Sequence, residues 1–343
     1  MKNSAYCLRL LLSVSFLTLL LASCSITDDP MRGGTATLVL DVPMLQASTR
    51  ATVEGDAEEN AIYNLRVVIL SQGAESINQT FTADALTGGS VVIDNVPVGP
   101  AQIYVIANEG SLGKDYTNLS ALQNDVVPVG ENKKVLIKDE PRTYFPKRRS
   151  ELDKEIADDV GTKGLPMSWM EKNLTVSPPS GAPQQIEVKL QRCVAKLNII
   201  MQSTLSENLH ITEMNFGSFF GNRLYLFQEA DLDVPDDATY DVQNYTGLDI
   251  TIPANGEKTL VCYIYPSFTW KSQTGPSPYT IGFKTTNNSY DQQVFISDGS
   301  ALNSIARNTQ VNITAKLSQP ANIKIDFEVV PWETVKVDVP SFN

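Results

Sequence analysis

Histidine is almost missing from this chain of 343 residues: His210 is the only one. A multi-histidine metal site is therefore excluded. A Ser-His-Asp triad would have to be built on His210, which stands among Asn, Leu and Ile with nothing catalytic near it. Cysteine is scarce too. Of four cysteines, Cys7 and Cys24 lie at the N-terminus, leaving Cys193 and Cys262 for the folded part. Both sit in apolar, strand-like runs, where they either join in a disulfide or remain two buried thiols. The chain has no CxxC pair, HExxH, GxSxG, phosphate-cradling glycine loop or EF-hand spacing. No enzyme class, cofactor or metal is indicated. Positive charge is also in short supply, with 27 basic against 39 acidic residues. Residues 1–23 hold two of the basic residues and none of the acidic ones. The remainder has 25 against 39, a net charge of −14. Such a surface repels nucleic acid and anionic membrane, so neither is an expected partner. The one strongly apolar run, 10–21, is too short to serve as a membrane span.

That run, preceded by Lys2 and Arg9, reads as an export signal. It ends in Leu21-Ala22-Ser23-Cys24, which resembles the bacterial lipobox. There the chain is cut before the cysteine and the thiol is acylated, and two or three acyl chains anchor a protein stably. Ser25, Asp28 and Asp29 follow, as in the surface-export signal of Bacteroidetes lipoproteins. The expected address is the outer membrane and cell surface.

Beyond the signal, Val, Thr, Tyr and Phe are plentiful, with Gly and Pro scattered between short runs, so the expected class is all-β. "TATLVLDV" (35–42) alternates, with Ala36, Leu38, Leu40 and Val42 on one face. A polar, aperiodic stretch (43–60) follows and reads as an exposed loop. Further strands are expected at 64–70, 90–96, 101–108, 133–138, 222–228, 247–253, 258–266, 279–285, 292–297 and 309–317. Helical turns are expected near 118–125 and 149–159. Pro178, Pro179, Gly181 and Pro183 make 165–185 read as the end of one domain and a linker. "IEVKLQRCVAKLNIIMQ" (186–202) reads as one long strand whose phase slips between Val194 and Ala195, as at a bulge. The acidic pairs Asp28/Asp29, Glu58/Glu59 and Asp236/Asp237 read as exposed acids in polar loops. Near the end, Ile323, Ile325, Phe327 and Val329 share one strand face, and Val335, Val337 and Val339 share another.

Several of these patterns together resemble the major fimbrillin family of Bacteroidales, the type-V pilins. They are the lipobox, "VGPAQIYVIAN" (98–108), Arg192 followed by Ala195-Lys196, Arg307-Asn308-Thr309, and the late Pro331-Trp332. The resemblance implies two tandem transthyretin-like β-sandwiches after a lipoprotein signal peptide. The implied division is signal 1–23, removable segment 24–50, first sandwich 51–180 and second sandwich 181–343. It also implies an assembly route. An Arg-specific or trypsin-like protease cuts after Arg50, making Ala51 the new N-terminus and releasing the lipid with the first strand. A strand from another fimbrial subunit then fills the emptied groove. The donor segment would be 322–343, carrying Ile323, Ile325, Phe327, Val329, Val335, Val337 and Val339. Partners are other fimbrial subunits, the protease, and the outer membrane through lipid on Cys24. The competing readings are a surface glycan-binding lipoprotein, for which Trp169, Trp270 and Trp332 lie far apart in sequence, and an anchor or tip fimbrial subunit.

Overall fold

The structure is a computed structural model. It describes residues 34–42, 59–86, 88–112, 116–117, 122, 126–128, 135–139, 143–144, 164–228, 230, 232–270, 275–318 and 322–331. The all-β expectation holds, and the strands form two sandwiches. In the first, a three-stranded sheet runs in the order β10 (Gln184–Glu187), β1 (Thr35–Asp41), β4 (Ser90–Pro97). It faces a five-stranded sheet of β11 (Gln191–Arg192), β9 (Met167–Val176), β5 (Gly99–Ala107), β2 (Asn64–Ser71) and β3 (Ala74–Thr82). In the second, a six-stranded sheet runs β22 (Asn322–Pro331), β21 (Thr309–Ser318), β12 (Ala195–Ser203), β16 (Glu257–Ile264), β7 (Val135–Asp139), β8 (Thr143–Tyr144). Its partner holds β15 (Tyr240–Ile252), β13 (Leu209–Gly221), β17 (Thr280–Thr285) and β18 (Ser289–Val294). Two small ribbons pair β14 (Arg223–Tyr225) with β6 (Val126–Pro128), and β19 (Ile296–Ser297) with β20 (Ser300–Ala301).

Strand β2 explains how the sandwiches meet. Its run "LRVVIL" is buried on both faces, as in a sheet covered on each side. Leu65, Val67 and Ile69 point into the first core with Leu38, Leu40, Ile93 and Val105. Val68 and Leu70 point the other way, onto Tyr104, Tyr116, Cys193, Leu224, Leu226 and Phe227. Residues of the second half of the chain thus cover the outer face of the first sandwich. A smaller cluster of Leu165, Val194, Val261 and Tyr263 continues this contact. The second core is aromatic at one end, where Phe219 stacks on Phe220 at 4.5 Å and Phe216 meets Phe220 edge-on at 5.2 Å. There Tyr279 donates to the Phe268 carbonyl at 2.7 Å. Burial raises its phenol well above the ordinary tyrosine range, so it remains a neutral donor.

Residues 186–202 are not one bulged strand. They form β10, β11 and β12, and the phase slip after Val194 marks a change of partners. Up to Arg192 the chain pairs with β1 and β9; from Ala195 it pairs with β16 and β21. The stretch 165–185 is not mainly linker either. Its first half is β9, a ten-residue strand paired antiparallel with β5, and the prolines begin only after it. Residues 184–192, which the sequence reading puts beyond the division at 180, stay with the first sandwich, where Val188 and Leu190 pack in its core. In the other direction, β7 adds to the second sandwich although it precedes β9 in the chain. Strands β3 and β13 were not foreseen. β3 is mostly solvent-facing and polar, and β13 carries Gly217 in mid-strand.

Candidate functional site

Strand β1 lies inside its sheet, bonded on both edges. It runs antiparallel to β4, with Leu40 opposite Val91 and Leu38 opposite Ile93, and parallel to β10, with Leu40 opposite Ile186. The ladder extends past its ends: Val188 N–H donates to the Asp41 carbonyl at 2.7 Å, Val42 N–H to Gly89 at 2.8 Å, and Val98 N–H to Gly34 at 3.0 Å. Its alternation follows the sequence, with Ala36, Leu38, Leu40 and Val42 all buried. At 25–30 cal/mol per Å² of apolar area, the four side chains contribute on the order of 6–9 kcal/mol. In this sheet β10 has β1 as its only neighbour. Without β1, β4 and β10 would face each other across a strand-wide apolar slot, a template for another chain.

Where the chain returns for β2, it is held firmly. Asn108, with φ of 60°, accepts from Tyr63 N–H at 2.9 Å and donates through Nδ2 to the carbonyls of Ala61 and Leu165, both at 2.8 Å. Gly164 (φ +73°) leaves room for it, since a Cβ there would lie 2.3 Å from Asn108 Nδ2. Asn108→Ala should therefore cost about 2–4 kcal/mol, the loss of three hydrogen bonds made by a buried side chain, read as a lower urea midpoint with unchanged slope.

Next to it sits a buried charge cluster. Glu59 is 2% exposed. Its carboxylate pairs with Lys196 Nζ at 2.9 Å and accepts from the Tyr263 hydroxyl at 2.5 Å. Arg192 donates from Nε to the Glu59 carbonyl at 3.2 Å, from Nη2 to Asn60 Oδ1, and from Nη1 to Asn308 Oδ1 at 3.2 Å. Glu59 is thus no exposed loop acid. Its neighbours are apolar strands of the second sandwich, which no local pattern around "EGDAEEN" reveals. The resemblance motifs Ala107-Asn108, Arg192/Lys196 and Arg307-Asn308 do signal the cluster, for they converge here from three segments of chain.

Arg307 occupies the other side of this junction, 5% exposed. It donates to the carbonyls of Arg192 (3.0 Å), Leu226 (2.9 Å) and Gln191 (2.8 Å) and to Ser168 Oγ (2.9 Å). The Cys193 thiol lies 3.4 Å away. Cys193 and Cys262 are two buried free thiols. His210 is exposed, its Nδ1 3.1 Å from Thr251 Oγ1. Among the described residues no group of three or more His, Cys, Asp or Glu could hold a metal ion.

At the other end, β22 pairs antiparallel with β21 along its whole length and forms the edge of the six-stranded sheet. Ile323 stands opposite Leu317, Ile325 opposite Ala315, Phe327 opposite Ile313 and Val329 opposite Val311. Ile325 is buried, Phe327 packs partly on the second core, and Val329 is 45% exposed. Cys24, Arg50, Ala51, Val335, Val337 and Val339 lie outside the described residues, as do most of 118–125 and all of 149–159.

A family model described as "Fimbrillin-A associated anchor proteins Mfa1 and Mfa2" matches residues 35–338. No curated protein matches the chain. Among solved structures, the C-terminally truncated tip fimbrial protein Mfa3 from Porphyromonas gingivalis is 14% identical. That match covers 87% of this chain and 100% of the other, with a TM-score of 0.53. A putative cell adhesion protein from Bacteroides eggerthii is 13% identical over 88% of this chain and 97% of the other, with a TM-score of 0.50. At such identity the likeness carries the fold.

Proposed function

The chain belongs to the family of fimbrillin-A associated anchor proteins, and we propose that it is a subunit of a bacterial surface fimbria that joins its neighbours by exchanging strands. The carrying observation is the seat of β1, a strand hydrogen-bonded on both edges, buried on one face, and followed in sequence by Arg50 before β2 begins. The finer reading is that of a fimbrillin. The chain is exported as a lipoprotein on Cys24 and cut between Arg50 and Ala51, and β1 leaves with the lipid. The donor is segment 322–343 of the next subunit. Its alternation of Ile323, Ile325, Phe327 and Val329 matches the alternation that the vacated slot accepts. Strand β22 is meanwhile parked on its own β21, with Ile325 buried and Phe327 partly packed on the second core while Val329 stays exposed.

Incubating the full chain with a trypsin-like protease should give a product beginning at Ala51 and SDS-resistant ladders. Arg50→Ala should remain uncut there and monomeric. Because β22 packs on its own sandwich, deleting 322–343 would also disturb the fold. A synthetic 322–343 peptide is the cleaner probe: in excess during cleavage it should cap the slot and shorten the ladders. Ladders from Arg50→Ala, or ladders indifferent to the peptide, would count against the proposal. The family's own description favours a second reading, an anchor subunit that keeps its lipid and its β1. Mass spectrometry of native fimbriae separates the two, by an N-terminus at Ala51 or at acylated Cys24.

A further inference from the structure

A cleft of about 610 Å³ opens at the junction between the sandwiches. It is lined from β9 by Trp169 and Lys172, from the chain after β10 by Lys189 and Gln191, from the segment after β14 by Gln228, and from beneath by Arg307. No Asp or Glu lines it among the described residues. In a chain whose formal net charge is −12, this local gathering of cations is selective for an anion. Arg307 sharpens the point. It is a buried guanidinium whose hydrogen-bond partners are all neutral: three carbonyls, a serine hydroxyl and a thiol. Burying a cation without a counter-charge is costly, and an anion in the cleft would offset that cost. Lys172 and Lys189 are exposed at the rim. Lys189 pairs with Glu187 at 3.2 Å, with both side chains mostly in solvent, a contact too weak to withhold its ammonium.

The other lining groups narrow the anion's identity. Trp169 is half-buried, packs against the first core and reaches the cleft wall, where its fluorescence can report on occupancy. Gln191 and Gln228 supply amides that both donate and accept, which suits hydroxyl groups. The volume lies within the usual range for small-ligand sites, about 300–1,000 Å³. We propose that this cleft binds an acidic sugar unit of a surface glycan. The sugar carboxylate faces Arg307, Lys172 and Lys189, and the hydroxyls meet the two glutamines. Neither β1 nor β22 lines this site.

The test titrates the full chain with glucuronic acid, using glucose as the neutral counterpart, by calorimetry and tryptophan fluorescence. Glucuronic acid should bind saturably with Kd near the millimolar level, as for a single small sugar contact. Glucose should bind about tenfold more weakly, and raised salt should narrow the gap. Lys172→Glu with Lys189→Glu should weaken glucuronate binding about tenfold or more. The melting temperature should hold, because both side chains are exposed. Trp169→Phe should abolish the fluorescence response. Equal affinity for glucose, no saturable glucuronate binding, or unchanged binding by the lysine double variant would overturn the assignment. Tighter binding of an oligoglutamate peptide than of glucuronic acid would overturn it as well, by giving the cleft to an acidic protein partner.

Discussion

Replacing Leu38 and Leu40 together by alanine should destabilise the uncut chain by about 4–10 kcal/mol, at about 2–5 kcal/mol for each buried leucine. Both side chains are fully buried, and they project from a strand whose neighbours on either edge, β4 and β10, touch each other only through it. A loss of that size is comparable with the whole stability of an ordinary domain. The first sandwich should therefore unfold at a much lower urea concentration, in a transition separable from that of the second. The same double variant also tests the proposed cycle. Once cut at Arg50 and filled by a neighbour's strand, the groove no longer contains Leu38 or Leu40. Assembled material from the variant should then match the wild type in its resistance to SDS and heat. A defect of equal size before and after assembly would mean that β1 never leaves.

The second large effect lies at Glu59. Glu59→Ala should cost about 3–5 kcal/mol, the usual penalty for orphaning one member of a buried ion pair. Lys196, with only 13% of its side chain exposed, would lose this carboxylate, and so would the Tyr263 hydroxyl. The Arg192 bond to the Glu59 main chain would survive the substitution, because it is made to a carbonyl. Adding Lys196→Met should restore much of the loss, since the two charges of the buried pair then leave together. A double-mutant cycle by urea denaturation reads this coupling. Additive losses would show that Glu59 and Lys196 act independently despite their 2.9 Å separation.

How much of this was legible beforehand depended on periodicity. Strands with one wet face declared themselves by alternation, as at Ala36, Leu38, Leu40 and Val42, or at Val311, Ile313, Ala315 and Leu317. The continuous run in β2 also read as a strand, but its double burial did not, because sequence does not say what covers the second face. The boundary between sandwiches misled for a related reason. A change of partner at Val194 leaves the same mark in the pattern as a bulge does: one lost step of alternation. Strand β9 was hidden by its polar run Glu171, Lys172 and Asn173 beside a proline-rich end. Glu59 and Arg307 were the hardest. Charged residues are seldom buried unless paired, and the partners here are far off in sequence, such as Tyr263 for Glu59. Only the ordered family patterns around Asn108, Arg192 and Arg307 hinted at them, without saying that the patterns meet in space.

The mixed pairing of β1 has a last consequence. It runs with β10 and against β4, so a strand that remakes both hydrogen-bond ladders has to enter in one direction only. Each added subunit would then point the same way as the one before it. A fibre built by that rule has polarity: one end always offers an open slot and the other an unspent strand. Its symmetry is helical rather than closed, so nothing in the joint itself limits length, and growth stops only when a subunit arrives whose slot is still filled.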